Sequence, residues 1–166
     1  MIGPGTGVAP FRGFMQDRMW HMQSGQVGLG DAMLFFGCRH PDADFMYKDE
    51  MQRWQRDGLV DLSVAFSRLG DTDMPDVDYH QTKGYVQHAI AARGEQVWQL
   101  IEKGATIYVC GDASSMLPAV KRALVELAQN QNTSSGDQQL TSSGASADAW
   151  LAQLEQDARF LVDAWA

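Results

Sequence analysis

Three glycines fall within five residues in Gly3-Pro4-Gly5-Thr6-Gly7, which runs directly into the amphipathic stretch headed by Val8-Ala9-Pro10-Phe11. Glycines in such a turn let backbone N–H groups approach an anion, and the start of the following helix adds a favourable dipole. Gly3, Gly5, Thr6 and Gly7 are therefore candidates for cradling a phosphate ester. The spacing is not the dinucleotide fingerprint G-x-G-x-x-G, so the turn needs company before it specifies a ligand. Company is found in Ser67-Arg68, at the end of the apolar run Leu59–Phe66, and in Lys83-Gly84-Tyr85-Val86-Gln87. A hydroxyl, a guanidinium and an ammonium converging on a strand end suit a phosphate monoester, with the guanidinium pairing two oxygens. Tyr85 could stack on an adenine. Taken singly, Arg68 and Lys83 read as solvated surface charges. No acidic residue occupies a strand end about 20 positions after the glycine turn, where the ribose hydroxyls of NAD would be held, and this favours NADP.

Two further positions suit a pyridine nucleotide. Cys110 ends the run Ile107-Tyr108-Val109 and precedes Gly111-Asp112-Ala113-Ser114. A thiol there is small and polarizable enough to sit against a nicotinamide ring, although buried cysteines at strand ends commonly do no more than pack. Asp112 and Ser114 read equally as caps of the next helix. Trp165 stands one residue from the end of the chain, where a large ring either anchors the last strand to the core or stacks on a planar cofactor. His21, His40, His80 and His88 lack metal-ligand spacing, and no metal site is expected.

These residues need elements that bring them together. Met33–Cys38, Leu59–Phe66 and Thr106–Cys110 read as buried strands. Helical patterns cover Phe11–Met22, Asp44–Arg56, Val86–Glu102 with a break near Gly94, and Met116–Ala128. The alternation predicts an α/β domain, a doubly wound parallel sheet. Ligands of such sheets bind beyond the carboxyl ends of the strands, where Gly3–Gly7, Cys38-Arg39, Ser67-Arg68 and Cys110-Gly111-Asp112 would all fall. Residues 130–148, rich in Ser, Gly, Gln and Asn, read as a loop. Trp150, Leu151, Leu154, Ala158 and Leu161 recur at helical spacing and suggest a last helix. Only Met1 and Ile2 precede the glycine turn, so the first strand is expected to lack part of its length, as in a fragment of a longer polypeptide.

The chain has 166 residues, 45% of them hydrophobic and 20% charged, which fits one globular domain. A net charge of −8 argues against a nucleic-acid binder. Cys38 and Cys110, far apart and without a second pair, indicate neither a disulfide framework nor zinc, and suggest a reducing cytoplasm. No stretch approaches the apolar length of a membrane span.

Together the motifs GPGTGVAPFRGF at Gly3–Phe14, FFGCRHPDADFMY at Phe35–Tyr47, AFSR at Ala65–Arg68, KGYVQH at Lys83–His88, IYVCGDAS at Ile107–Ser114 and DAWA at Asp163–Ala166 resemble the NADPH-binding module of the diflavin reductases, in the ferredoxin–NADP reductase superfamily. The resemblance spans nearly the whole chain, residues 1–166. The terminal Asp-x-Trp-Ala and the Trp150–Glu155 helix look most like bacterial fatty-acid hydroxylases whose cytochrome P-450 is fused to its own reductase. The resemblance implies that Gly3–Gly7 and Arg39 hold the pyrophosphate side of NADPH, and that Ser67, Arg68, Lys83, Tyr85 and Gln87 hold the 2′-phosphate and adenosine. It implies that Cys110 and Asp163 flank the nicotinamide and that Trp165 covers the flavin ring and must swing aside. Asp112 is counted with the cofactor-binding residues.

Hydride would pass from NADPH to FAD, and electrons onward through FMN to a haem monooxygenase. FAD is expected mainly in a domain upstream and FMN in another, neither within this chain, so the chain alone is expected to be catalytically silent. One departure is a long acidic segment between Arg68 and Lys83 with Asp71, Asp73, Asp76 and Asp78, which would repel a phosphate if it faced the crevice. Two alternatives are the flavoprotein subunit of sulfite reductase, which shares the motifs but typically ends in Tyr, and a non-enzymatic nucleotide-binding remnant.

Overall fold

The computed structural model describes residues 1–25, 28–70, 74–134 and 146–166. Its frame is a single parallel sheet of six strands: β1 (Ile2–Pro4), β2 (Met33–Cys38), β3 (Asp61–Phe66), β4 (His80–Lys83), β5 (Ile107–Asp112) and β6 (Phe160–Trp165), in the spatial order β4-β3-β2-β1-β5-β6. This is the expected doubly wound α/β architecture. β2 is buried throughout, which is why it reads as an apolar run without alternation, and β3 is buried from Leu62 on, Ser63 included. β1 is three residues long and sits between β2 and β5, with Ile2 opposite Phe35 on one side and Val109 on the other.

Helices cover both faces. α1 (Ala9–Gln23) and α2 (Lys48–Arg56) close one face, where Val8, Phe11, Met15, Met51 and Trp54 pack on Leu34, Phe36, Leu62 and Val64. α3 (Val86–Ala92), α4 (Gly94–Glu102), α5 (Met116–Ser134) and α6 (Ala147–Gln156) close the other, over Ile2, Phe35, Ile107, Val109 and Phe160. The chain leaves β1 through one turn of 3₁₀ helix, Gly5–Val8, and Pro10 enters the first turn of α1 as expected. The break near Gly94 is the junction between α3 and α4. It is tied to the start of β3 by Arg93, whose guanidinium donates to both carboxylate oxygens of Asp61 at 3.1 and 2.6 Å and to the Ser63 hydroxyl at 3.3 Å.

Several boundaries differ from the sequence reading. α5 continues to Ser134 and α6 begins at Ala147, so both ends of the expected loop 130–148 are helical, while residues 135–145 lie outside the described residues. Gln and Asn are adequate helix formers once a helix is already propagating, and composition alone does not end one. The expected last helix stops at Gln156. Ala158 takes a left-handed φ of 53° and turns the chain into β6, so Leu161 belongs to a strand. α2 starts at Lys48 rather than near Asp44, because Tyr47 also adopts a positive φ, 55°. No helix among the described residues is long and apolar enough to cross a membrane.

Candidate functional site

All strands point the same way, so the carboxyl ends of β1, β2, β3, β4 and β5 share one edge. The glycine turn leaves this edge at the switch point, where β1 lies between β2 and β5 and the chain reverses its direction of travel across the sheet. Its glycines are required sterically. A Cβ on Gly7 would overlap the Cys110 carbonyl, and one on Gly3 would lie 2.5 Å from the Gly7 carbonyl oxygen and 2.7 Å from the Phe11 ring. Gly5 faces open space but has a φ of 55°. Gly3 and Gly7 are buried and Thr6 is exposed. The turn is therefore pressed onto β5, with Thr6 at its tip.

A cleft of about 530 Å³ opens beside the turn. It brings Gly5, Arg39, Ser67, Tyr85 and Gln87 together from four separate segments, with Gly84 and Ser115 on its walls. Ser67 is fixed where β3 leaves the sheet: its N–H donates to the Cys38 carbonyl at 3.0 Å and its hydroxyl to the same oxygen at 3.5 Å. Tyr85 caps α3 and is 61% exposed at the mouth. Gly84 allows this corner through a φ of 109°, while the Tyr85 N–H donates to His88 Nδ1 at 3.1 Å.

Arg68 and Lys83 do not line the cleft but stand exposed at the same edge. Lys83 is in register with Phe66, two residues before Arg68, and the Arg68 N–H donates to the Arg39 carbonyl at 3.0 Å. In the acidic segment, Asp76 and Asp78 are exposed and absent from the cleft walls; Asp71 and Asp73 lie outside the described residues.

The other predicted residues gather on β5 and β6. Cys110 is opposite Asp163 in the parallel register, and its thiol reaches Asp163 Oδ2 at 3.9 Å. Burial, and then the Asp163 carboxylate, push this thiol above its ordinary pKa. Burial likewise pushes Cys38 up to about 12. Asp112 caps α5: it accepts from the hydroxyls of Ser114 and Ser115 at 2.7 and 2.6 Å and from the N–H groups of Ser115 and Met116 at 2.6 and 3.0 Å. Those bonds hold its carboxyl well below the usual carboxylate range. Of the two readings of Asp112, the geometry supplies the cap. Trp165, opposite Asp112, is 47% exposed, so its ring does not anchor β6 in the core. The backbone provides the anchor, through the bond from the Ala113 N–H to the Trp165 carbonyl at 2.7 Å.

The sequence reading missed Asp44 and Gly84. Gly84 was discoverable as the only residue suited to a left-handed corner between Lys83 and Tyr85; Asp44 had no local signal. A second cleft, of about 430 Å³, opens at the opposite edge of the sheet, by Met33, Ile107 and Tyr108. There Arg18 is spent on the carbonyls of Gly30 and Leu59.

Comparison with known proteins identifies the family. The family model for the oxidoreductase NAD-binding domain matches residues 1–122. The chain is 39% identical over 165 residues to bifunctional cytochrome P450/NADPH–P450 reductase 2 of Bacillus subtilis (strain 168), an alignment covering 99% of this chain and 14% of that protein. It is 40% identical over 166 residues to the bifunctional cytochrome P450/NADPH–P450 reductase of Bacillus cereus, covering 100% of this chain and 14% of that protein. Against NADPH–cytochrome P450 reductase of Homo sapiens it is 44% identical over 128 residues, covering 76% and 17%. The chain thus spans 14% of the length of the bacterial relatives it matches. The resemblance to the diflavin reductases read from the motifs is borne out.

Proposed function

Since this chain belongs to the oxidoreductase NAD-binding domain family, we propose that it is the NADPH-binding part of a reductase that carries FAD and FMN and delivers electrons to a haem monooxygenase. The observation that carries this reading is the cleft at the carboxyl edge of the sheet, which assembles Gly5, Arg39, Ser67, Tyr85 and Gln87 beside the turn Gly3–Gly7. The missing Cβ atoms of Gly3 and Gly7 let the turn pack tightly against β5 and the Phe11 ring, which sets its backbone beside the cleft where a diphosphate would lie. Arg39 and the backbone of Gly3–Gly7 hold the diphosphate. Ser67, Arg68, Lys83 and Gln87 take the 2′-phosphate and ribose, and Tyr85 stacks on the adenine.

Cys110, Asp163 and Trp165 serve the nicotinamide end, across β5 and β6. Cys110 and Asp163 present a neutral thiol and a carboxylate side by side. Trp165, with half its surface free, acts as a lid over the flavin side and is displaced when the nucleotide engages. Asp112 contributes by fixing the corner between β5 and α5. When bound, the dihydronicotinamide supplies the hydride and the flavins relay its electrons. The chain positions and shields these partners. Segments outside this chain would bear FAD, FMN and haem, and the chain alone would show no steady NADPH-dependent reduction of cytochrome c.

The test is Arg68→Ala, with Kd measured for NADPH and NADH by calorimetry. Losing a charge-assisted hydrogen bond to the 2′-phosphate should weaken NADPH about tenfold or more and leave NADH nearly unchanged. Equal losses for the two nucleotides would refute the assignment of the phosphate site.

A further inference from the structure

We infer that Asp44 aims Arg39 into the cleft and so sets affinity for the diphosphate common to both pyridine nucleotides, an inference that rests on reading the cleft as a nucleotide site. Asp44 Oδ1 accepts from the backbone N–H groups of Arg39 at 2.9 Å and His40 at 3.0 Å, and Oδ2 accepts from Arg39 Nε at 2.9 Å. One carboxylate thus clamps the chain where it leaves β2 and fixes the guanidinium by its inner nitrogen. The two outer nitrogens of Arg39 meet no acceptor among the described residues. They carry four of the five guanidinium N–H groups, the forked donor set that suits phosphate oxygens.

The clamp is itself held firm. Next to Asp44, the Phe45 ring stacks on Phe36 at 5.0 Å and meets Phe66 and Tyr79 edge-on at 6.2 and 6.0 Å. On the other side Lys48 Nζ donates to the Pro41 carbonyl at 3.2 Å and to Asp42 at 3.3 Å. Both Arg39 and Asp44 line the cleft. Burial opposes ionisation of Asp44, yet the bonds from His40 and Arg39 outweigh it and hold the carboxyl below its ordinary pKa. A carboxylate beside an anion site repels the ligand. Its compensating contribution is a guanidinium already in place, which saves the ordering cost of a long side chain at binding.

These two effects have opposite signs, and a substitution decides between them. Asp44→Asn keeps an oxygen for the two backbone N–H groups but loses the charged contact to Arg39 Nε. If positioning dominates, Kd rises about fivefold for NADPH and for NADH alike, because the diphosphate is common to both. In an Arg39→Ala background the same change should not weaken binding further, since Asp44 then has nothing to aim. Tighter binding by Asp44→Asn, an effect on one nucleotide only, or an equal loss in the Arg39→Ala background would each overturn the inference. Arg39→Lys provides a second route if Asp44→Asn does not fold: it keeps the charge without the Nε contact and should weaken both nucleotides similarly, and unchanged affinity would overturn the inference. Failure of the unaltered chain to bind either nucleotide would remove the nucleotide reading of the cleft and this inference with it.

Discussion

Gly7→Ala is the most incisive perturbation of the fold that carries the site. The added methyl would be driven into the Cys110 carbonyl, with the Cys110 carbonyl carbon at 2.8 Å and Gly111 Cα at 3.2 Å. All three atoms are backbone, so no side chain can rotate away. Relief requires the turn to lift off β5 at the point where Ile2 pairs with Val109. Inserting a methyl into a filled site typically costs about 1–3 kcal/mol, and an immovable backbone neighbour puts this one at the upper end. For a domain of this size each kcal/mol lowers Tm by about 2–4 °C, so a fall of about 5–10 °C is expected. Gly5→Ala is the internal control. Nothing lies within 4 Å of its new Cβ, and only the φ of 55° is penalised, which costs about 1 kcal/mol. Urea unfolding followed by circular dichroism, with NADPH affinity measured alongside, separates the two. Gly7→Ala should be the less stable and the weaker binder. A Gly7→Ala midpoint equal to or above that of Gly5→Ala would show that the turn is not pressed against β5.

Other consequences can be checked with similar means. Trp165→Ala should leave the unfolding free energy within about 0.5 kcal/mol of the parent, as for exposed positions generally; a large loss would show that the ring anchors β6 after all. In a reductase reconstituted with its flavin domain, the same variant should use NADH more readily, and an unchanged preference between nucleotides would contradict the lid. Asp112 has a folded pKa below its unfolded one, so its stabilisation is present above about pH 4 and is lost as pH falls through the folded value. Asp112→Asn should therefore be less stable at pH 7 and flatter in stability below pH 4, and parallel acid profiles would refute the cap. Both thiols are buried with raised pKa values, so iodoacetamide at pH 8 should label neither until the chain is unfolded. Rapid labelling of the native chain would count against the packing of β2 and β5.

How far the sequence reaches is shown by particular residues. β2 could be read with its observed boundaries because Met33–Cys38 is buried on both faces, and a two-sided burial leaves an uninterrupted apolar run. The glycine turn, Pro10 and Ser67 were legible for a related reason, each lying at the boundary of an element whose local pattern marks its end, whereas β5 runs two residues past the end expected at Cys110. In a parallel sheet all such ends fall on one edge, so the edge could be assembled on paper. β4 could not. His80–Lys83 is polar and becomes a strand because the neighbouring Ser63–Phe66 segment offers ladder partners. β6 was hidden likewise: Leu161 continues a helical spacing from Trp150, but pairing with β5 and the left-handed turn at Ala158 override it.

The same division runs through the site. Residue types and motif order determined that an anion would be held by glycine backbone, a hydroxyl and basic side chains, since those preferences are chemical and local. Only the tertiary structure decided that Asp44 holds Arg39, that Asp112 spends its carboxylate on α5, and that Trp165 stands free. Each depends on where a side chain of limited reach meets groups on another segment, and a one-dimensional pattern carries no information about that distance.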